Sequence, residues 1–227
     1  MNKRLKEPVE DFIFKGENTP LSLGTLVVCA LCLLILITAT FIQIDITHLW
    51  LSKNELGELG LNTINCPYIP QIPAVLFIAS ILGPRFSFLV VVLYLLIGFF
   101  VAPVFALGGG ISYLKSGLFG YILGFIFAII PSAQILQKNR NLKGISLATI
   151  LTVITIHTCG ILYCTILGVL KIVSFNYVIS AIQSLSGIKT LYDIIISFIV
   201  LLFAIPAKQA LWIAMGTSNA NQKQKVK

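Results

Sequence analysis

Residues 83–125 read GPRFSFLVVVLYLLIGFFVAPVFALGGGISYLKSGLFGYILGF and hold two apolar runs of membrane-spanning length joined by a short connection. Three consecutive glycines, Gly108, Gly109 and Gly110, lie in that connection. Glycine reaches backbone angles closed to other residues and lets a ligand or a second helix come close. Inside a bilayer, irregular backbone persists only where protein buries it or water reaches it, so a glycine-rich break at the end of a span is a candidate cavity lining. A flexible connection in water between two helices is the plainer alternative.

The remainder of the 227 residues supports a membrane setting. The chain is 57% hydrophobic and only 11% charged, too little polar surface to coat a water-soluble globule of this size. Its mean hydropathy is +0.97. The expected fold class is an all-α integral membrane protein with six transmembrane helices in one compact domain over 21–216. A polar tail is expected at 1–20, with acids among its bases and no signal-peptide pattern, and a basic tail at 217–227. Sixteen Lys and Arg stand against eight acids, but they collect at the chain ends and in one loop without interleaved aromatics, which argues for a lipid bilayer as neighbour and against nucleic acid. Five cysteines share no repeated spacing, and the Cys29-x-x-Cys32 pair lies inside an apolar run, so both are expected to pack rather than bind metal. No cofactor is expected.

Taken in order, the first span is expected at 23–44, followed by a polar extramembrane loop to Cys66 that contains His48 and Trp50, residues at home at headgroup level. Pro67, Pro70 and Pro73 delay a regular helix until after Pro73, so the second span is short or starts as extended chain. Further spans are expected at 86–105, 118–136, 145–170 and 192–215, with an amphipathic segment at 171–192. Gly120 and Gly124 admit close helix packing, and Tyr121 between them can turn a hydroxyl into a cavity. Lys115, the one charge on the glycine-rich connection, suits the carboxylate of a small acid, although an exposed lysine without a role is the default. His157 falls in mid-span, where an unpaired imidazole is costly, and so is a functional candidate or a helix-to-helix hydrogen bond. With both termini inside, twelve basic residues lie on the cytoplasmic side (four in the N-terminal tail, Arg85, three in 138–143, four from Lys208 onward) against Lys53, Lys115, Lys171 and Lys189 outside.

The order G-P-R, L-Y-L-L-I-G-F, P-V-F-A with following glycines, then F-G-Y-I-L-G-F resembles the BioY family, the biotin-binding S components of energy-coupling-factor vitamin transporters. The resemblance implies six helices, no catalytic centre, and biotin uptake across the plasma membrane, alone or with ATPase subunits and a transmembrane coupling subunit. It implies a pocket near the outer face built from the loops after the first, third and fifth spans. On that basis Phe105, Gly108, Gly109, Gly110, Tyr113 and Tyr121 surround the ligand, with Lys115 or His157 as polar contact. The proline-rich entry contributes Tyr68 and Gln71 by position, and Gln71 can offer a ureido ring both a donor and an acceptor.

The chain departs from the family pattern in three places. Ser116 to Tyr121 keeps only the last two residues of a G-P-T-x-G-Y. Pro206 to Leu211 has Lys208 and Leu211 where a P-G-D-x-x-K pattern has its acid and lysine. Ala30 and Ala39 are too far apart for the A-x-x-x-A contact with a coupling subunit. An S component for a different vitamin, or an assembly protein whose glycines only pack helices, are the alternatives. An intramembrane enzyme is disfavoured: there is no H-E-x-x-H or G-x-S-x-G, no pair of carboxylates, no Walker A, and no acid near His157 in sequence.

Overall fold

The computed structural model describes residues 23–53 and 59–225; the 1–20 tail lies outside them. Helix α1, Leu23–Phe41, is uniformly apolar and about 28 Å long at 1.5 Å per residue. It buries one stripe, Thr25, Val28, Cys29, Cys32, Leu36 and Ala39, at helical spacing. Cys29 and Cys32 belong to that stripe as free thiols.

A β-hairpin follows where the sequence suggests a polar loop, so the helical membrane fold carries one two-stranded sheet. Strands β1, Ile44–Lys53, and β2, Leu59–Tyr68, pair antiparallel from Ile44 opposite Tyr68 to Lys53 opposite Leu59. The alternation Ile44, Asp45, Ile46, Thr47 carries the period of a strand, and Thr47 Oγ1 donates to Asn65 Oδ1 across the pair at 2.8 Å. Glycines and charges further along the hairpin mask that period in the sequence. The side chain of His48 is outside the described residues.

Helix α2, Gln71–Phe100, starts two residues before Pro73, because a proline in the first helical turn has no hydrogen bond to lose. It is broken at Gly83, whose φ of 73° and ψ of 178° are non-helical. Gln71 Nε2 lies 3.1 Å from the Tyr94 hydroxyl, whereas 23 residues of straight helix would set them roughly 35 Å apart. The two limbs, 71–82 and 84–100, therefore form an antiparallel helical hairpin, and Pro84 opens the second limb. Among the described residues five helices are long and apolar enough to cross a membrane, and the break at Gly83 makes six segments of them.

The second limb ends at Phe100 rather than at 105. Residues 101–110 fold back on it: Phe105 and Gly108 exchange both backbone hydrogen bonds at 3.1 Å, and the Gly110 amide donates to Gly98 O at 2.8 Å. A short 3₁₀ helix, Ile111–Lys115, leads into α3, Leu118–Lys138. Helix α4, Leu142–Val169, is capped by Asn141, whose side chain accepts from the Gly144 amide at 2.9 Å. Helices α3 and α4 touch backbone to backbone, since a Cβ on Gly124 would stand 2.8 Å from Ile156 Cα. Amphipathic α5, Phe175–Ser186, and α6, Lys189–Lys225, complete the chain, α6 running on as helix into the stretch expected to be a tail.

Candidate functional site

A cavity of about 620 Å³, counted out to its open mouth, sits at the end of the bundle where the β-hairpin, the 3₁₀ helix and α5 meet. Its floor is apolar, with Ile72, Ile122, Phe125 and Ile156. Polar groups converge from six elements on its walls: Tyr68 from β2, Gln71 from α2, Tyr113 from the 3₁₀ helix, Tyr121 from α3, His157 from α4, and Lys189 and Asp193 from α6.

The central contact joins α4 to α6. His157 Nε2 lies 3.1 Å from Asp193 Oδ2, and both side chains are over nine-tenths buried. A carboxylate only accepts hydrogen bonds, so the proton of this contact sits on Nε2. Nδ1 shares a hydrogen bond with the Ser186 hydroxyl at 2.8 Å, and Ser186 Oγ shares another with the Tyr121 hydroxyl at 2.6 Å. The other oxygen of Asp193 accepts from the Tyr68 hydroxyl at 2.8 Å. Burial, and then the charge and hydrogen bond of Asp193, hold the Tyr68 phenol well above its ordinary pKa, so it stays a neutral donor. One unbroken chain of side chains, Tyr121, Ser186, His157, Asp193 and Tyr68, thus ties α3, α5, α4, α6 and β2 together. Ser, His and Asp are also the parts of a nucleophile relay, but here Ser186 is shared with Tyr121 and Asp193 with Tyr68, which fixes positions rather than freeing a nucleophile.

Gln71 belongs to a second network. Its amide nitrogen reaches Thr40 Oγ1 at 2.8 Å and the Tyr94 hydroxyl at 3.1 Å. Those two hydroxyls donate onward to Leu36 O and Val104 O, at 3.0 and 3.1 Å. Both amide protons of Gln71 are therefore engaged, and of the donor and acceptor expected from it only the carbonyl oxygen is left for a ligand. Tyr113 lines the wall and donates to Ala106 O at 2.8 Å, which pins the glycine-rich turn. Burial raises its phenol too, with the neighbouring Tyr94 and Tyr177 adding to the effect.

The cavity therefore brings together Gln71, Tyr113, Tyr121 and His157 of the residues picked from sequence, along with Tyr68. It does not bring in the others. Phe105 is 1% exposed behind the wall, against the rings of Tyr94, Phe99 and Tyr113. Gly108, Gly109 and Gly110 are off the wall and shape the turn: a Cβ on Gly109 would stand 2.5 Å from Pro103 Cα, and Gly110 has a φ of 74°. Lys115 points away, exposed on the 3₁₀ helix. The absence of an acid near His157 holds only along the chain, because Asp193 is 36 residues later and in contact. Asp193, Ser186 and Lys189 were not picked from sequence. The cost of burying charge that singles out His157 applies equally to a carboxylate at the head of the last span, and is the signal that leads to Asp193. Lys208 is buried at the other end of the bundle, with Nζ donating to Ser80 O at 2.9 Å in the last turn of limb 71–82. The comparison over Pro206 to Leu211 thus concerns residues remote from the cavity.

The sequence model of the BioY family matches residues 17–212. A curated protein of Lysinibacillus sphaericus described as "Probable biotin transporter BioY" is 31% identical over 99 residues, 43% of this chain and 50% of that protein. The chain thus spans about half the length of the curated relative it matches. A solved structure of the S-component for biotin from an ECF-type ABC transporter superposes with a TM-score of 0.59 at 18% identity, covering 84% of this chain and 95% of the other, a likeness of fold.

Proposed function

The chain belongs to the BioY family, and from that premise we propose that it takes up biotin across the plasma membrane as a substrate-binding subunit, driven by ATP-hydrolysing partners through a transmembrane coupling subunit, or alone. The observation that carries this reading is the cavity at one end of the bundle, with an apolar floor for a fused ring and chain and hydrogen-bonding groups fixed around its rim. Tyr68, Gln71, Tyr113, Tyr121, His157 and Asp193 are the proposed binding residues. The excess of Lys and Arg at the opposite end of the bundle supports an outward-facing cavity with both termini in the cytoplasm.

A ligand that binds only the folded state raises apparent stability by mass action, so thermal unfolding of the detergent-purified protein across a panel of vitamins tests the reading. Biotin is expected to raise the midpoint by several degrees. A shift with another vitamin alone would reassign the cargo, and no shift in a folded preparation would overturn vitamin binding.

A further inference from the structure

We propose that Lys189 reads the carboxylate of the ligand, so that the protein selects a small free acid over its neutral amide. This rests on biotin being the cargo. Two formally charged side chains line the cavity among the described residues, Lys189 and Asp193. Each oxygen of Asp193 already accepts one hydrogen bond, from Tyr68 at 2.8 Å and from His157 at 3.1 Å. Lys189 stands one helical turn before it and has no ion-pair partner among the described residues. Lys189 lies out of ion-pair distance of Asp193 on the wall of a largely apolar cavity, and an incoming carboxylate within reach of its ammonium would make charge-assisted hydrogen bonds that strengthen as water leaves.

Geometry assigns the ends of the ligand. Lys189 is half-buried and opens α6 at the cavity edge, whereas Ile72, Phe125 and Ile156 form the floor. The ring system goes down and the acid stays at the mouth. The N-terminus of α6 adds potential of the same sign. The other cations do not compete: Lys115 is exposed off the wall and Lys208 is bound to Ser80 O at the opposite end.

The test is calorimetric titration of the full chain in detergent with biotin and with biotinamide, its neutral isostere, for the wild type, Lys189→Met, Lys189→Gln and Lys189→Arg. The wild type is expected to bind the acid at least about tenfold more tightly than the amide, the worth of one charge-assisted hydrogen bond. Lys189→Met and Lys189→Gln should bring the two ligands within about twofold by weakening the acid only, so unchanged amide binding reports a folded site. Lys189→Arg should keep the preference. A wild type without preference, or a preference that survives both neutral variants, overturns the assignment of Lys189 and leaves biotin as cargo. A folded wild type that binds neither ligand overturns the biotin reading and this inference with it.

Discussion

His157 on α4 and Asp193 on α6 meet at 3.1 Å, with Ser186 and Tyr68 at the outer ends of the contact. Nearly all of both side chains is withdrawn from solvent, so the pair cannot be dismantled from one side cheaply. His157→Ala leaves a buried carboxylate with one donor instead of two, and is expected to cost about 3 kcal/mol, in the range for breaking a buried pair. Asp193→Asn removes the charge but keeps an acceptor for Tyr68, and should cost less. Apparent unfolding midpoints in detergent check the order, and equal losses would contradict it.

The Gln71 network holds three elements by one amide. Gln71→Leu leaves Thr40 and Tyr94 without their donor, and is expected to destabilise by about 1–3 kcal/mol while also weakening biotin. Tyr94→Phe, which stays behind the wall, should lower the unfolding midpoint and leave biotin affinity within about twofold. Titration calorimetry beside thermal unfolding separates the two effects.

Two adjacent glycines are predicted to behave differently. Gly109→Val drives a side chain into Pro103 and should disrupt the fold of the turn, seen as poor expression or a large fall in midpoint. Gly110→Ala meets no atom within 4 Å, but its φ of 74° with ψ of 178° is a conformation almost confined to glycine, so a loss of about 1–3 kcal/mol from backbone strain alone is expected.

The Gly83 hairpin offers a rescue experiment. A Cβ at that position would stand 2.2 Å from Gln137 Nε2, and φ is positive there as well. Gly83→Ala should be destabilising, and Gln137→Ser in the same chain should restore the steric part while leaving the conformational part. An additive pair of losses would refute that coupling.

Lys115→Ala is expected to leave biotin affinity within about twofold, as for other exposed side chains away from a site. A loss of tenfold or more would bring the 3₁₀ helix into the binding region.

The helical framework was legible because apolar runs bounded by glycine, proline and charge are strong signals in a chain this hydrophobic. Even the break between second and third segments shows as Gly83-Pro84, although its antiparallel geometry needs the Gln71–Tyr94 contact to become visible. The hairpin was hidden because its strand alternation is short and runs into glycine and charge. At the site, Tyr121 and His157 announce themselves as polar groups within apolar spans. Asp193 and Ser186 do not, because their meaning depends on which helix ends converge, and that is a property of packing. The role of the glycine triplet is hidden for the same reason: Gly110 alone takes a positive φ, and the turn packs onto Gly98 and Pro103, off the cavity wall.

Limb 71–82 has twelve residues and rises only about 18 Å, against a hydrocarbon thickness near 30 Å. Gln71 and Ile72, at its start, are also cavity residues. On the proposed reading the cavity makes up that shortfall, and a bound solute would take the place of the missing helical turns. Capture would then be a partitioning event as much as a docking one, because a solute must shed its water shell before the apolar floor of Ile72, Ile122, Phe125 and Ile156 can hold it.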